Sequence, residues 1–402
     1  MIYSVFCKKN SFWWLWLFAI TAIAIIYIAG MDVAPYLDED EFMIVDLGRI
    51  ILHPKTGWSI TWLIDKNEPA YVFFYIGPVI NEFGYQIFGE YGPRVLGIGG
   101  ALMASTAMLL WLISRNTPNY VAFFLSLIFL LDPIFVQSYT LGRVDGWAMT
   151  FSLLACWFLR RGINHKEKIK KKVILASVFT VIAVFVWPSS VFLIPLILGE
   201  LYYLGKKQGG RFNNSKSSFR FFFLFGLAGL FSVIILLIPI LPQVYSFFTN
   251  IVDGLMLNVF RGLSIGEHSN GYFSLNPLLE LLRSLKFTPV ISVLFLIGVL
   301  IKRDWILILG TFTALVLLFM TLVYLHRVQY LLPYFVATVA GVYVPDFKQD
   351  KIKFLPYLKL YGGIFMTLWV VSISIVARSY LVLNNVDERD RNLVVQAAEK
   401  MI

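Results

Sequence analysis

The chain has 402 residues, of which 58% are hydrophobic, 17% aromatic and only 14% charged, with a mean hydropathy of +0.75. A water-soluble domain runs nearer ~45–50% apolar and ~25% charged, so this composition excludes a soluble globular protein and makes lipid the solvent. The formal net charge of +10 is spread so as to mark membrane topology and not a nucleic-acid surface, and the two cysteines, Cys7 and Cys156, establish no disulfide framework.

In chain order, Lys8 and Lys9 precede FWWLWLFAITAIAIIYIA (12–29), which is long enough to span and has no small-residue cleavage site after it. It reads as a retained first helix. Further apolar runs fall at about 95–114, 118–137, 146–160, 173–187, 190–204, 220–244, 287–301, 304–324, 329–345 and 357–382, giving about eleven crossings. The two runs flanking WPSS (187–190) can also form a short hairpin that does not cross completely. One apolar segment, PAYVFFYIGPVINEFGYQIFG (69–89), is not counted: Gly77-Pro78 interrupts it, and Asn81 and Glu82 are costly at mid-bilayer. It is expected to be a broken helix lying at the outer interface. Residues 31–93 are then one long external loop, 245–286 a second, and 383–402 a short external tail; residues 1–382 form one membrane domain.

The distribution of cations supports this alternation. With the N-terminus inside, the inner loops and adjoining helix ends hold 21 of the 34 Lys and Arg, accompanied by only five acids: Glu167, Glu200, Asp304, Asp346 and Asp350. The expected architecture is an all-α polytopic bundle with its polar chemistry gathered on the outer face.

That face collects Arg94, Arg143 and Arg327 with Asp46, Asp145 and the run Asp38-Glu39-Asp40-Glu41. Arginine grips phosphate with a planar fork of donors, and a carboxylate in the same pocket can take a proton from an attacking hydroxyl. Each residue has a plainer reading. The acid run suits a solvated helix start. Arg94 suits an interfacial anchor. Arg143 and Asp145 suit an ion pair closing a turn. His326 and Arg327 suit helix-end anchors, and His268 a loop residue. GIGG (97–100) reads as helix packing. The sequence has no His/Cys metal spacing, no phosphate-cradling glycine loop and no serine-nucleophile motif.

The order of these parts resembles the family-39-like membrane glycosyltransferases of the GT-C superfamily, which include protein O-mannosyltransferases and lipid A aminoarabinose transferases. Their first external loop begins with an Asp-Glu pair, aromatics, and an Arg nine positions after the Asp; Asp40-Glu41-Phe42 with Arg49 keeps that spacing. EPAYVFFYIGPVINEFG (68–84), FGEYGPRVLG (88–97), GRVDGWAMTFSLLACWFLRR (142–161) and HRVQYLLPYF (326–335) follow in the family's order. Where many relatives carry Lys or His before Pro-Pro, this chain has Glu68, in NEPAY. DERDRNLVVQAAEKMI (387–402) resembles the lead-in to the soluble external domain of many relatives.

The resemblance implies a GT-C-type bundle that moves a sugar, a mannose-like hexose or a modified pentose, from a polyprenyl-phosphate donor to an acceptor hydroxyl outside the plasma (inner) membrane. It implies Asp40 as base with Glu41 beside it, and Arg143, Arg327 and Arg94 at the donor phosphate. Asp145, Arg49 and Asp38 take supporting roles. It implies no metal and no cofactor, and as partners the lipid-linked donor, a glycan, lipid or protein acceptor, and membrane lipids, but no nucleic acid. Two other readings stand beside it: a ligase or polymerase of the O-antigen type, and a lipid or solute transporter.

Overall fold

Uninterrupted apolar runs without internal proline form the longest helices, because in lipid the backbone must satisfy its own hydrogen bonds. The computed structural model describes residues 9–29, 31, 39–52, 75–164, 168–208 and 215–243. Helix α1 (Lys9–Ala29) buries Phe12, Trp16 and Tyr27 and turns Trp14, Phe18 and Ile25 outward. Trp16 Nε1 donates to Thr106 Oγ1 at 3.2 Å. Helix α2 (Glu39–Leu52) buries Ile44, Val45 and Leu47.

Helix α3 (Ile76–Phe88) corrects one expectation. Gly77-Pro78 begins this helix instead of breaking it, since proline in a first turn loses no hydrogen bond. Asn81 and Glu82 are buried against protein, while Phe83, Ile87 and Phe88 point outward. The chain then folds back: Gly89 has φ 64°, and a Cβ at Gly92 would lie 2.1 Å from the carbonyl of Gly84. Helix α4 (Gly92–Ser114) is about 35 Å long, enough to span, whereas α3 at about 20 Å is not.

The apolar run 118–137 is not one helix. It forms α5 (Asn119–Leu131) and α6 (Pro133–Thr140), because Pro133 cannot donate to a helix continuing through it. After a turn come α7 (Asp145–Asn164) and α8 (Ile169–Val186). Trp187 is extended (φ −154°, ψ 124°), and a 3₁₀ turn (Pro188–Leu193) leads into α9 (Ile194–Gln208). Helix α10 (Ser215–Leu237) and a 3₁₀ turn (Ile238–Gln243) complete the described part.

Among the described residues, four helical stretches are long and apolar enough to cross a membrane: Ser11–Ala29, Ile76–Ser114, Pro188–Lys207 and Phe219–Leu237. The second contains the fold-back at Gly89, so its crossing part is α4. The third makes the arm after WPSS long enough to span. The protein is an integral membrane protein. The runs beyond residue 243, the 245–286 loop and the 383–402 tail lie outside the described residues, and so does the count of about eleven crossings.

Helix α7 is central, with α4, α8 and α9 packed on it and α10 on α8. Glycines bring α4 and α7 together: a Cβ at Gly146 would lie 2.6 Å from Ala101 N, and one at Gly100 would lie 2.8 Å from Trp147. The Gly97–Gly100 run thus packs helices, as the sequence suggested. Thr150 Oγ1 donates to the carbonyls of Gly146 (2.8 Å) and Gly100 (3.1 Å).

The helix directions sort the charges into two ends. Helices α4 and α7 run parallel, so Arg115 and Arg160 share one end. There the fully buried Glu200 of α9 accepts from Trp111 Nε1 at 2.9 Å and lies 3.5 Å from Arg160 Nε and 3.9 Å from Arg115 Nε. Arg94, Arg143, Asp145 and Trp187 lie at the other end. Charge alternation along the sequence separates the same two groups.

Candidate active site

The site is built around the turn between α6 and α7. Gly142 has φ 67°, a conformation that suits glycine, and the backbone N–H of Arg143 donates to Ser138 O at 3.4 Å. This geometry puts Arg143 two residues before the start of α7 and turns its side chain back on that helix. Arg143 Nε donates to Asp145 Oδ2 at 2.8 Å, and the Ser138 hydroxyl donates to the same oxygen at 3.2 Å. The guanidinium carbon lies 5.2 Å over the Trp187 ring. Both partners are withdrawn from solvent, Arg143 at 2% exposure and Asp145 at 0%. The ion pair that closes a turn is therefore real. It also holds a guanidinium plane fixed between a carboxylate and an indole in a low-dielectric setting, where oriented donors interact most strongly.

Helix α3 packs against this turn. Asn81 Nδ2 donates to Gly142 O at 2.8 Å, and a Cβ at Gly77 would meet Val186 O at 2.3 Å and Val144 at 2.9 Å. Asn81 Oδ1, Asp145 Oδ1 and Ser190 Oγ are buried with no hydrogen-bond partner among the described residues. Buried polar atoms are nearly always bonded, so these three hold acceptor capacity that the described chain does not use.

On its other side α3 carries α2. Arg49 Nε and Nη2 lie 3.4 Å from the two carboxylate oxygens of Glu82, and Nη1 lies 3.3 Å from Asp46 Oδ1. Gln86 Nε2 donates to Glu82 at 3.0 Å, and the guanidinium lies 5.1 Å over the Tyr85 ring. A Cβ at Gly48 would fall 2.1 Å from Pro78 O, so α2 and α3 touch backbone to backbone.

Of the residues expected from sequence, Arg143 and Asp145 are in direct contact. Arg94, in the first turn of α4, donates to Met31 O at 3.2 Å and ties that turn to the end of α1. Arg49 is joined to α3. Asp40 and Glu41 occupy the first turn of α2. Asp38, Glu68 and Arg327 lie outside the described residues. Sequence reasoning did not assign Asn81, Glu82, Ser138 or Trp187 to the site. The signal for two of them was present, since Asn81 and Glu82 are costly in an apolar helix unless they have partners.

Residues 75–245 match the model of a family described as dolichyl-phosphate-mannose-protein mannosyltransferase. The chain is also similar to two crystal structures of ArnT from Cupriavidus metallidurans. The one bound to undecaprenyl phosphate is 13% identical with a TM-score of 0.55, over 92% of this chain and 71% of that one. The apo structure is 16% identical with a TM-score of 0.52, over 87% and 62%. The fold is similar to that of ArnT. No curated protein matches the chain. The segment matched by the family model runs from Tyr75 past the end of α10 and so contains Asn81, Glu82, Arg94, Arg143, Asp145 and Trp187. Both comparisons agree with the resemblance read from the sequence.

Proposed function

We propose that this protein transfers a sugar from a polyprenyl-phosphate donor to an acceptor hydroxyl on the extracytoplasmic side of the plasma (inner) membrane. The observation that carries this reading is the buried Arg143–Asp145 pair under Trp187, at the end of a GT-C fold that α2 also approaches. In the reaction the acceptor oxygen attacks the anomeric carbon. The bond from that carbon to the phosphate oxygen breaks, and its electron pair leaves with the polyprenyl phosphate. The acceptor's proton goes to Asp40, with Glu41 beside it. A phosphate leaving group needs no proton but does need its charge stabilised, which the positioned guanidiniums of Arg143, Arg94 and Arg327 supply. Asp145 orients Arg143, while Arg49 and Asp38 support the acidic half. Direct displacement inverts the anomeric centre. The donor brings its own leaving group, so the reading includes no cofactor and no metal. The sugar is a mannose-like hexose or a modified pentose, and the acceptor a glycan, lipid or protein.

The test is transfer of radiolabelled sugar from polyprenyl-phosphate sugar by purified protein, with native membranes as the acceptor source. Asp40→Asn is expected to abolish transfer while expression and membrane insertion stay normal. Wild-type activity in that variant moves the base elsewhere, and a product of retained configuration rejects direct displacement.

A further inference from the structure

Asn81 and Glu82 are neighbours on α3, and consecutive helical residues project about 100° apart. One therefore reaches one neighbouring element and the other a different one. Asn81, fully buried, bonds the carbonyl of Gly142, which precedes Arg143. Glu82, 2% exposed, holds Arg49 across two oxygens, and Arg49 is on the helix whose first turn carries Asp40 and Glu41. We infer that Asn81 and Glu82 are positioning residues that set the spacing between the two halves of the proposed site, Asn81 fixing the guanidinium turn and Glu82 fixing the acid-bearing helix. The inference rests on the glycosyl-transfer reading above.

Three observations support it. A carboxylate buried inside the protein is expensive unless paired, so Glu82 holds Arg49 in contact and α2 cannot drift without exposing a buried charge. Gly48 against Pro78 and Gly77 against Val186 bring backbone close to backbone on both sides of α3. Gln86 and Tyr85, one turn along, fix the Glu82–Arg49 contact from the side. Helix α3 thus acts as a spacer between a base and a phosphate grip that come from distant parts of the chain.

The two residues fail in different ways. Glu82→Gln is expected to lower kcat about 10–100-fold, as a small misplacement of a reacting group does, while the Kd for unreactive polyprenyl phosphate stays within about twofold. Asn81→Ala is expected to raise that Kd about tenfold with a smaller effect on kcat. The exchange Glu82→Arg with Arg49→Glu restores most of the kcat lost in Glu82→Arg alone. The mechanical claim is read separately with spin labels at Leu52→Cys on α2 and Met103→Cys on α4, both exposed positions, after Cys7 and Cys156 are replaced by alanine. Glu82→Gln broadens the distance distribution. An unchanged distribution overturns the inference, as does a loss of kcat and donor affinity in the same proportion in both variants, or an exchange that restores nothing. If the wild-type protein transfers no sugar from polyprenyl-phosphate sugar while Glu82→Gln still broadens the distribution, the glycosyl-transfer reading fails and the spacer role of α3 stands.

Discussion

Replacing Arg143 with lysine separates a phosphate grip from a turn closure. Lysine keeps the charge, and its ammonium can still meet Asp145, but it loses the rigid fork and the stack on Trp187. The structure puts magnitudes on this. The Arg143 Nε–Asp145 contact is a charge-assisted hydrogen bond of 2.8 Å, a class worth about 1.5–3 kcal/mol. The guanidinium 5.2 Å over Trp187 adds about 0.5–2 kcal/mol. Lysine recovers part of the first term and little of the second. A net loss of about 2 kcal/mol in orientation, felt at the leaving phosphate, corresponds to about a 30-fold drop in kcat/KM for the donor at 1.36 kcal/mol per decade. The assay is the initial rate of sugar transfer in nanodiscs over a donor series, with Tm of the same preparation measured alongside. If Arg143 only closes the turn, Tm falls and kcat/KM stays within twofold of wild type, and that result refutes the reasoning.

Two further variants probe the frame around the site. Gly146→Ala places a methyl 2.6 Å from Ala101 N, which is backbone and cannot yield, so α4 and α7 must part at a cost of about 1–3 kcal/mol, lowering both Tm and transfer; Gly226→Ala, with nothing within 4 Å, leaves Tm unchanged or slightly raised. Glu200→Gln keeps an acceptor for Trp111 Nε1 but leaves the Arg115 and Arg160 guanidiniums without the carboxylate between them, so Tm should fall by the equivalent of about 3–5 kcal/mol while the donor KM of the folded protein is unchanged.

Helix order and relative direction were legible because the bias of Lys and Arg towards alternate loops is a local property of composition. Arg160, Arg161, Lys206 and Lys207 declare their end without knowledge of any partner. The division at Asp132-Pro133 was equally local, yet counting apolar residues over 118–137 hid it. Proline deserved more weight than hydropathy there, and less at Pro78, where a break was expected and a helix start is found. The site was legible in part. Arg143 and Asp145, two apart, advertise their pairing. That Asn81 and Glu82 needed partners was visible in their cost, but the partners were not, because Gly142 lies 61 residues away and Arg49 lies 33 away. The role of Trp187 depends on where α8 stops relative to the start of α7, and only the packed bundle fixes that.

The described charges at this end fit a proposed site built in two halves. Arg49 faces Asp46 and Glu82, and Arg143 faces Asp145, so neither cation offers a large uncompensated field. In the proposed reaction Arg143 stabilises the leaving phosphate through donors whose direction is already fixed, its plane lying between Asp145 and Trp187. The same balance serves the other half. A carboxylate that must accept a proton loses basicity beside a bare cation. Arg49 lies about 13 Å along α2 from Asp40, and two carboxylates cover its charge. In the proposed reaction one half stabilises a leaving anion and the other carries the base, and α3, with Asn81 turned to one half and Glu82 to the other, lies between them and holds the two fields apart.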